Sequence, residues 1–126
     1  MFYKQKTGAI GMSGERFGGF VRRKREEKEI GLREMAKMIG VSPTYLSKVE
    51  RDEFAPPAED KVKAIAQIIG CDVDELLARA GRVATDLSDI IRRHPVELAA
   101  LLRTTKGLTT EAITQLARKA RNAKDR

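Results

Sequence analysis

Apolar residues recur along the chain at spacings of three and four, the period that lays one face of an α-helix against a core. Val62, Ile65, Ala66 and Ile69 follow it, as do Leu32, Met35, Ala36 and Ile39. No stretch alternates β-branched and polar positions as a strand requires, so the pattern predicts an all-α fold. Ser13 is a candidate N-cap for a first helix running to about Lys28, with Phe17, Phe20, Val21 and Lys24 near one face and Lys24 interrupting its apolar stripe. A second helix covers Leu32 to Ile39 with its apolar residues inward and ends at Gly40, whose missing Cβ permits the left-handed conformation. Ser42 and Pro43, as N-cap and first helical residue, open a third helix from Pro43 to about Arg51.

Pro56 and Pro57 close the loop from Asp52, after which a fourth helix spans Ala58 to Ile69 and stops at Gly70. Asp72 caps a short fifth helix, Val73 to Ala80, with Leu76 and Leu77 inward and Gly81 as terminator. Three further stripes follow: Leu87, Ile90 and Ile91; Leu98, Leu101 and Leu102; Ile113, Leu116, Ala117 and Ala120. His94-Pro95 and Lys106-Gly107 separate them, and the polar end from Arg118 to Arg126 is expected to fray. The chain thus reads as an arm (1–12), a five-helix domain (13–81) and a C-terminal helical region for oligomerisation or partner binding (82–126). Isolated helices shorter than about 12–15 residues are marginal in water, so the last three stripes need a host. The first domain or the same segment of a second copy can supply it. The second is favoured, with Leu98, Leu101, Leu102, Ile113 and Leu116 as the core of a homodimer.

Composition narrows the function. The 126 residues are 41% hydrophobic and 34% charged, a balance too apolar for a disordered chain and typical of a globular one. No apolar run is long enough to cross a bilayer, and Met1 to Lys6 lacks the apolar core of a secretory signal, so no membrane role and a cytoplasmic location are expected. A single cysteine, Cys71, permits no internal disulfide and reads as a buried, inert thiol. The net charge of +7 favours a polyanionic partner. Its distribution is uneven: 12 basic and 8 acidic groups in residues 1–57, 3 and 5 in 58–81, and 10 and 5 in 82–126.

Catalytic chemistry is not legible. His94 is the only histidine and has no metal or nucleophile constellation around it. Asp72, Asp74 and Glu75 are accounted for by a cap and a helical first turn, which leaves no metal site. Gly14, Gly18 and Gly19 follow no strand and precede no Gly-Lys-Ser/Thr, so they form no phosphate-binding loop. Neither an enzyme nor a cofactor is expected.

The segment from Met35 to Glu50 is the informative one. Ala36 is small enough to let the third helix approach the second, Gly40 makes the turn, and Val41, Leu46 and Val49 anchor the far side. That spacing is a helix-turn-helix. Its consequence is an outward face of Pro43, Thr44, Ser47, Lys48 and Arg51, a surface that a DNA major groove can accept.

With those residues in view, 16–81 resembles the phage-repressor family of helix-turn-helix proteins, the Cro-like or xenobiotic-response-element type. The resemblance covers about half the chain. It implies a five-helix, lambda-repressor-like fold with a short C-terminal helical extension, and a sequence-specific regulator of double-stranded DNA, a dimeric repressor. Because the cap and the inward Leu46 and Val49 set which side faces out, Pro43, Thr44, Ser47 and Lys48 are expected to read bases, Ser42, Arg51 and one or more of Arg22, Arg23 and Arg33 to meet phosphates, and Tyr45 to pack or meet a phosphate. The resemblance also implies a partly buried ion pair between Arg25 and Glu50. Leu32 stands where the family commonly has a phosphate-contacting glutamine, so that contact falls to Arg33 or the backbone. Asp52 stands where glycine is common, and aspartate tolerates a left-handed turn. An alternative within the family is an antitoxin-type protein whose C-terminal helices bind a protein partner, a toxin or a regulatory protease, while the helix-turn-helix controls its operon.

Overall fold

The structure, a computed structural model, describes residues 15–124. The arm 1–12, the expected cap Ser13 and the last two residues lie outside them. Eight helices occupy the described residues: α1 Phe17–Glu27, α2 Leu32–Ile39, α3 Pro43–Glu50, α4 Glu59–Ile69, α5 Val73–Arg79, α6 Thr85–Arg93, α7 Pro95–Thr104 and α8 Thr110–Lys124. The chain divides into two compact units, the first ending at Ala84 and the second starting at Thr85.

In the first unit α1 to α5 surround one apolar core. Phe17, Phe20 and Val21 enter it from α1, Met35, Ala36 and Ile39 from α2, and Leu46 and Val49 from α3. Val62, Ile65, Ala66 and Ile69 of α4 and Leu76 and Leu77 of α5 complete it. These are the positions the three-and-four spacing selects. Leu32 is an exception. Expected inward, it is only half-buried, because it opens α2 at the rim of the core. Helix ends fall about one residue inside the expected ones: Lys28, Arg51 and Ala80 adopt cap conformations with ψ of 4°, 3° and 1°, and Ala58 is the N-cap of α4. Asp72 does cap α5, its Oδ1 accepting from the Glu75 N–H at 3.2 Å.

The start of α1 is held from a distance. Its N-cap residue, Arg16, makes no side-chain cap. The Gly18 N–H instead donates to Asp52 Oδ1 at 2.8 Å, satisfying one of the donors a helix N-terminus leaves open. Asp52 reaches it from a left-handed conformation, φ 60°. A Cβ on Gly18 would lie 2.1 Å from the Val49 carbonyl oxygen and 2.7 Å from that of Glu50, so only glycine lets α1 cross the end of α3 here. Lys24 is half-buried, with Nζ 5.9 Å from the Phe20 ring centre and 3.8 Å from Glu27 Oε1, its stem packing while its charge stays wet.

The first unit runs past the expected boundary at Gly81. The Arg82 guanidinium donates to the carbonyls of Pro56, at 2.6 Å, and Pro57, and Ala84 is buried. Cys71, expected buried, is half-exposed. Its thiol is held above its ordinary pKa by partial burial and by Glu75 nearby.

The second unit contains α6, α7 and α8, with α6 and α7 lying against each other. No side chain described from residue 85 to 124 is buried. Leu101, Leu102, Ile113 and Leu116 are 48%, 54%, 43% and 41% exposed, and Leu98 is half-buried. Among the described residues, no helix is long and apolar enough to cross a membrane.

Candidate nucleic-acid interface

The geometry of α3 follows from both of its ends. Gly40, at φ 77°, turns the chain out of α2, and the Val41 N–H closes back onto the Ala36 carbonyl at 2.9 Å. Lys61 Nζ donates to the Ile39 carbonyl at 2.9 Å, placing a cation at the negative end of α2. Ser42 Oγ accepts from the Tyr45 N–H at 3.0 Å, and Pro43 occupies the first turn, where its missing N–H costs nothing. Ala36 is wholly buried beneath α3.

Glu50 closes the inner face. Arg25 Nε and Nη2 donate to Glu50 Oε2 and Oε1 at 2.8 and 2.9 Å, and Arg25 Nη1 donates to the Ile30 carbonyl at 2.7 Å. Both residues are buried, at 7% and 5% exposure. Such a bidentate pair fixes the direction of both side chains, and so couples α1 and the α1–α2 turn to the end of α3. The hydrogen bond to Glu50 raises the Arg25 pKa above its usual value, against the opposing effect of burial.

With Leu46, Val49 and Glu50 fixed inward, the rest of α3 faces out. Ser42, Thr44 and Arg51 are exposed, and Pro43, Ser47 and Lys48 are partly so. A groove beside them is lined by Leu32, Arg33, Pro43, Thr44, Ser47 and Arg51, and an adjoining one by Arg22, Arg25, Leu32, Ser47, Glu50 and Arg51. Arg22, Arg33 and Arg51 therefore converge on the strip around Ser47 and Leu32. Arg23 lines neither groove. Its guanidinium is held by Glu15, at 2.8 and 2.9 Å, and by Glu27, at 2.8 Å, and those bonds raise its pKa. Tyr45 is half-buried, its ring 5.8 Å from that of Phe54.

Two neighbours of this face were not singled out from the sequence. Phe54 is 45% exposed and lies under Lys48 Nζ at 5.5 Å, a cation–π distance that parks the ammonium against the loop after α3. Glu53 accepts from Arg51 Nε at 2.8 Å. An aromatic residue and an acid just past the third helix were the available signals, but neither shows its reach until the loop is folded.

A buried cross-tie behind a short, capped, outward-facing helix, with three guanidiniums beside it, defines a helix-turn-helix DNA-binding class. The sequence comparisons agree. The sequence matches the family model described as Helix-turn-helix over residues 21–76. It is 35% identical over 65 residues to the ImmF control region 10 kDa protein of Bacillus phage phi105, covering 52% of this chain and 71% of that protein. It is 38% identical over 64 residues to an uncharacterised HTH-type transcriptional regulator of Mycobacterium tuberculosis, covering 51% of this chain and 45% of that one. Among solved structures it is similar to SinR, the master regulator for biofilm formation, in complex with DNA, with 30% identity, 48% of this chain and 97% of that chain covered, and a TM-score of 0.44. The P22 c2 repressor with a synthetic operator is 29% identical, with 49% and 92% covered and a TM-score of 0.45. The chain belongs to the helix-turn-helix family of DNA-binding transcriptional regulators, of the phage-repressor type.

Proposed function

We propose that this protein is a sequence-specific repressor that binds double-stranded DNA as a homodimer, with α3 in the major groove and no catalytic step or cofactor. The observation that carries the proposal is the outward strip of α3, locked by inward Leu46 and Val49 and by the Arg25–Glu50 pair. Pro43, Thr44, Ser47 and Lys48 are assigned to base edges. Arg22, Arg33, Arg51, Ser42 and Tyr45 are assigned to phosphates, with Arg23 at the margin because two carboxylates hold it. The protein works where the DNA is, in the cytoplasm.

Dimerisation is assigned to the second unit, because Leu101, Leu102, Ile113 and Leu116 stay exposed within a single chain. Burying them stabilises an assembly by about 25 cal/mol per Å² of apolar surface removed from water. Reading a two-fold symmetric site requires two α3 helices in successive major grooves about 34 Å apart, one turn of DNA. Selection of bound sequences from random DNA should return a two-fold symmetric site. Sedimentation at micromolar concentration should give twice the 14.0 kDa chain mass, and Leu102→Asp with Ile113→Asp should return it to monomer. A monomeric wild-type chain would overturn the homodimer and assign the same apolar faces to a different protein, as in the antitoxin-type reading.

A further inference from the structure

The Arg51 guanidinium is already engaged within the chain. Its Nε and Nη2 donate to Glu53 Oε2 and Oε1 at 2.8 and 3.4 Å, and its Nη1 donates to Ser47 Oγ at 2.6 Å. The carboxylate is itself well anchored. The Glu53 and Phe54 N–H groups both donate to the Lys48 carbonyl, at 2.9 and 3.3 Å, so Glu53 hangs from backbone bonded to α3 rather than from a swinging loop. The two side chains are 47% and 50% exposed, on the surface that the proposed reading turns towards DNA. The Arg22–Glu26 pair differs, since both partners lie on α1 at a spacing of four.

We propose that Glu53 is a positioning residue that competes with DNA phosphate for Arg51 and thereby restrains affinity for all sequences. The Nε–Nη2 edge of a guanidinium serves one bidentate acceptor at a time, and on Arg51 Glu53 holds that edge while Ser47 takes Nη1. A phosphate approaching Arg51 must either displace the Glu53 carboxylate or lie beside it, and two anions sharing one cation repel each other. The hydrogen bond from Arg51 also holds the Glu53 carboxyl below its ordinary pKa, so it carries its charge at neutral pH. Basic residues elsewhere on the chain supply attraction that does not depend on sequence. A built-in competitor at the reading face offsets part of it, which leaves a larger share of the binding energy to base contacts. The inference rests on the assignment of Arg51 to phosphate.

The test uses the full chain, a labelled duplex of random sequence, and fluorescence anisotropy across a salt series. Glu53→Gln, Arg51→Ala and the double variant are compared with wild type, and circular dichroism melts check that each is folded. Glu53→Gln should bind roughly two- to fivefold tighter at about 0.1 M salt, the range that exposed ion pairs support, with the gain shrinking as salt rises. Its logarithmic salt slope should steepen by up to about 0.9, one further phosphate neutralised. In the Arg51→Ala background most of that gain should vanish. An equal gain with and without Arg51 would show that Glu53 acts only through net charge and would overturn the proposal. So would unchanged or weaker binding by Glu53→Gln. If Arg51→Ala alone binds as tightly as wild type, the phosphate assignment of Arg51 fails first and takes the proposal with it.

Discussion

Gly18 and Gly19 are adjacent in α1, yet substitution by alanine should move stability in opposite directions. At Gly18 the new methyl would meet the Val49 carbonyl oxygen at 2.1 Å, the Glu50 carbonyl oxygen at 2.7 Å and Asp52 Oδ1 at 2.8 Å. Carbon and oxygen approach no closer than about 3.3 Å even in weak C–H···O contacts, so α1 and α3 must part by roughly 1 Å. Two of the three obstacles are backbone, which cannot swing away. Separation loosens Phe17 and Val21 against Val49, an overpacking cost of about 1–3 kcal/mol, and lengthens the Gly18–Asp52 hydrogen bond, worth about 1.5–3 kcal/mol because one partner is charged. Alanine's better helix propensity returns only about 1 kcal/mol. The net expectation is a loss of about 2–4 kcal/mol. At Gly19 nothing lies within 4 Å of the new Cβ, so only the propensity gain remains, and Gly19→Ala should stabilise by about 0.5–1 kcal/mol. Urea denaturation followed by circular dichroism on both variants measures the contrast directly. If Gly18→Ala is no more destabilising than Gly19→Ala, the close crossing of α1 and α3 is wrong.

Two further expectations concern buried and half-buried groups. Glu50→Gln should cost about 3–5 kcal/mol by leaving Arg25 buried without its counter-charge, whereas the joint change Arg25→Met with Glu50→Leu should recover most of that stability; equal losses in denaturant midpoint would contradict a desolvated pair. Cys71, with its thiol pKa raised, carries less thiolate at any given pH than an unperturbed cysteine. Its alkylation by iodoacetamide near pH 8 should therefore be slower than that of a free thiol, and a faster rate would contradict the assigned direction.

What the sequence discloses here is local. Ser42-Pro43, Gly40 and the inward spacing of Leu46 and Val49 are signals within one turn of each other, and they are enough to say which side of α3 faces out. The Arg25–Glu50 pair was accessible only through family resemblance, because nothing in the spacing of two residues 25 positions apart tells that they meet. Gly18 and Asp52 lie 34 positions apart, and their contact depends on how α1 crosses α3. Nothing in the local sequence around Gly18 carries a sign of that crossing. Arg82 was similarly opaque, since its partners are carbonyls exposed by the Pro56-Pro57 turn, and any basic side chain looks alike before that turn is folded. In the second unit the apolar stripes were readable as faces. A stripe says that a face is apolar and nothing about what covers it.

The most direct test of the reading face compares one base-assigned and one phosphate-assigned residue on two DNAs, the site recovered by selection and a random duplex of equal length. Lys48→Ala should lose about 1–3 kcal/mol on the selected site and relax its base preference, while its affinity for random DNA changes far less. Arg51→Ala should weaken both DNAs alike and flatten the salt dependence. Equal losses on both DNAs for Lys48→Ala would contradict base reading by the outward face of α3.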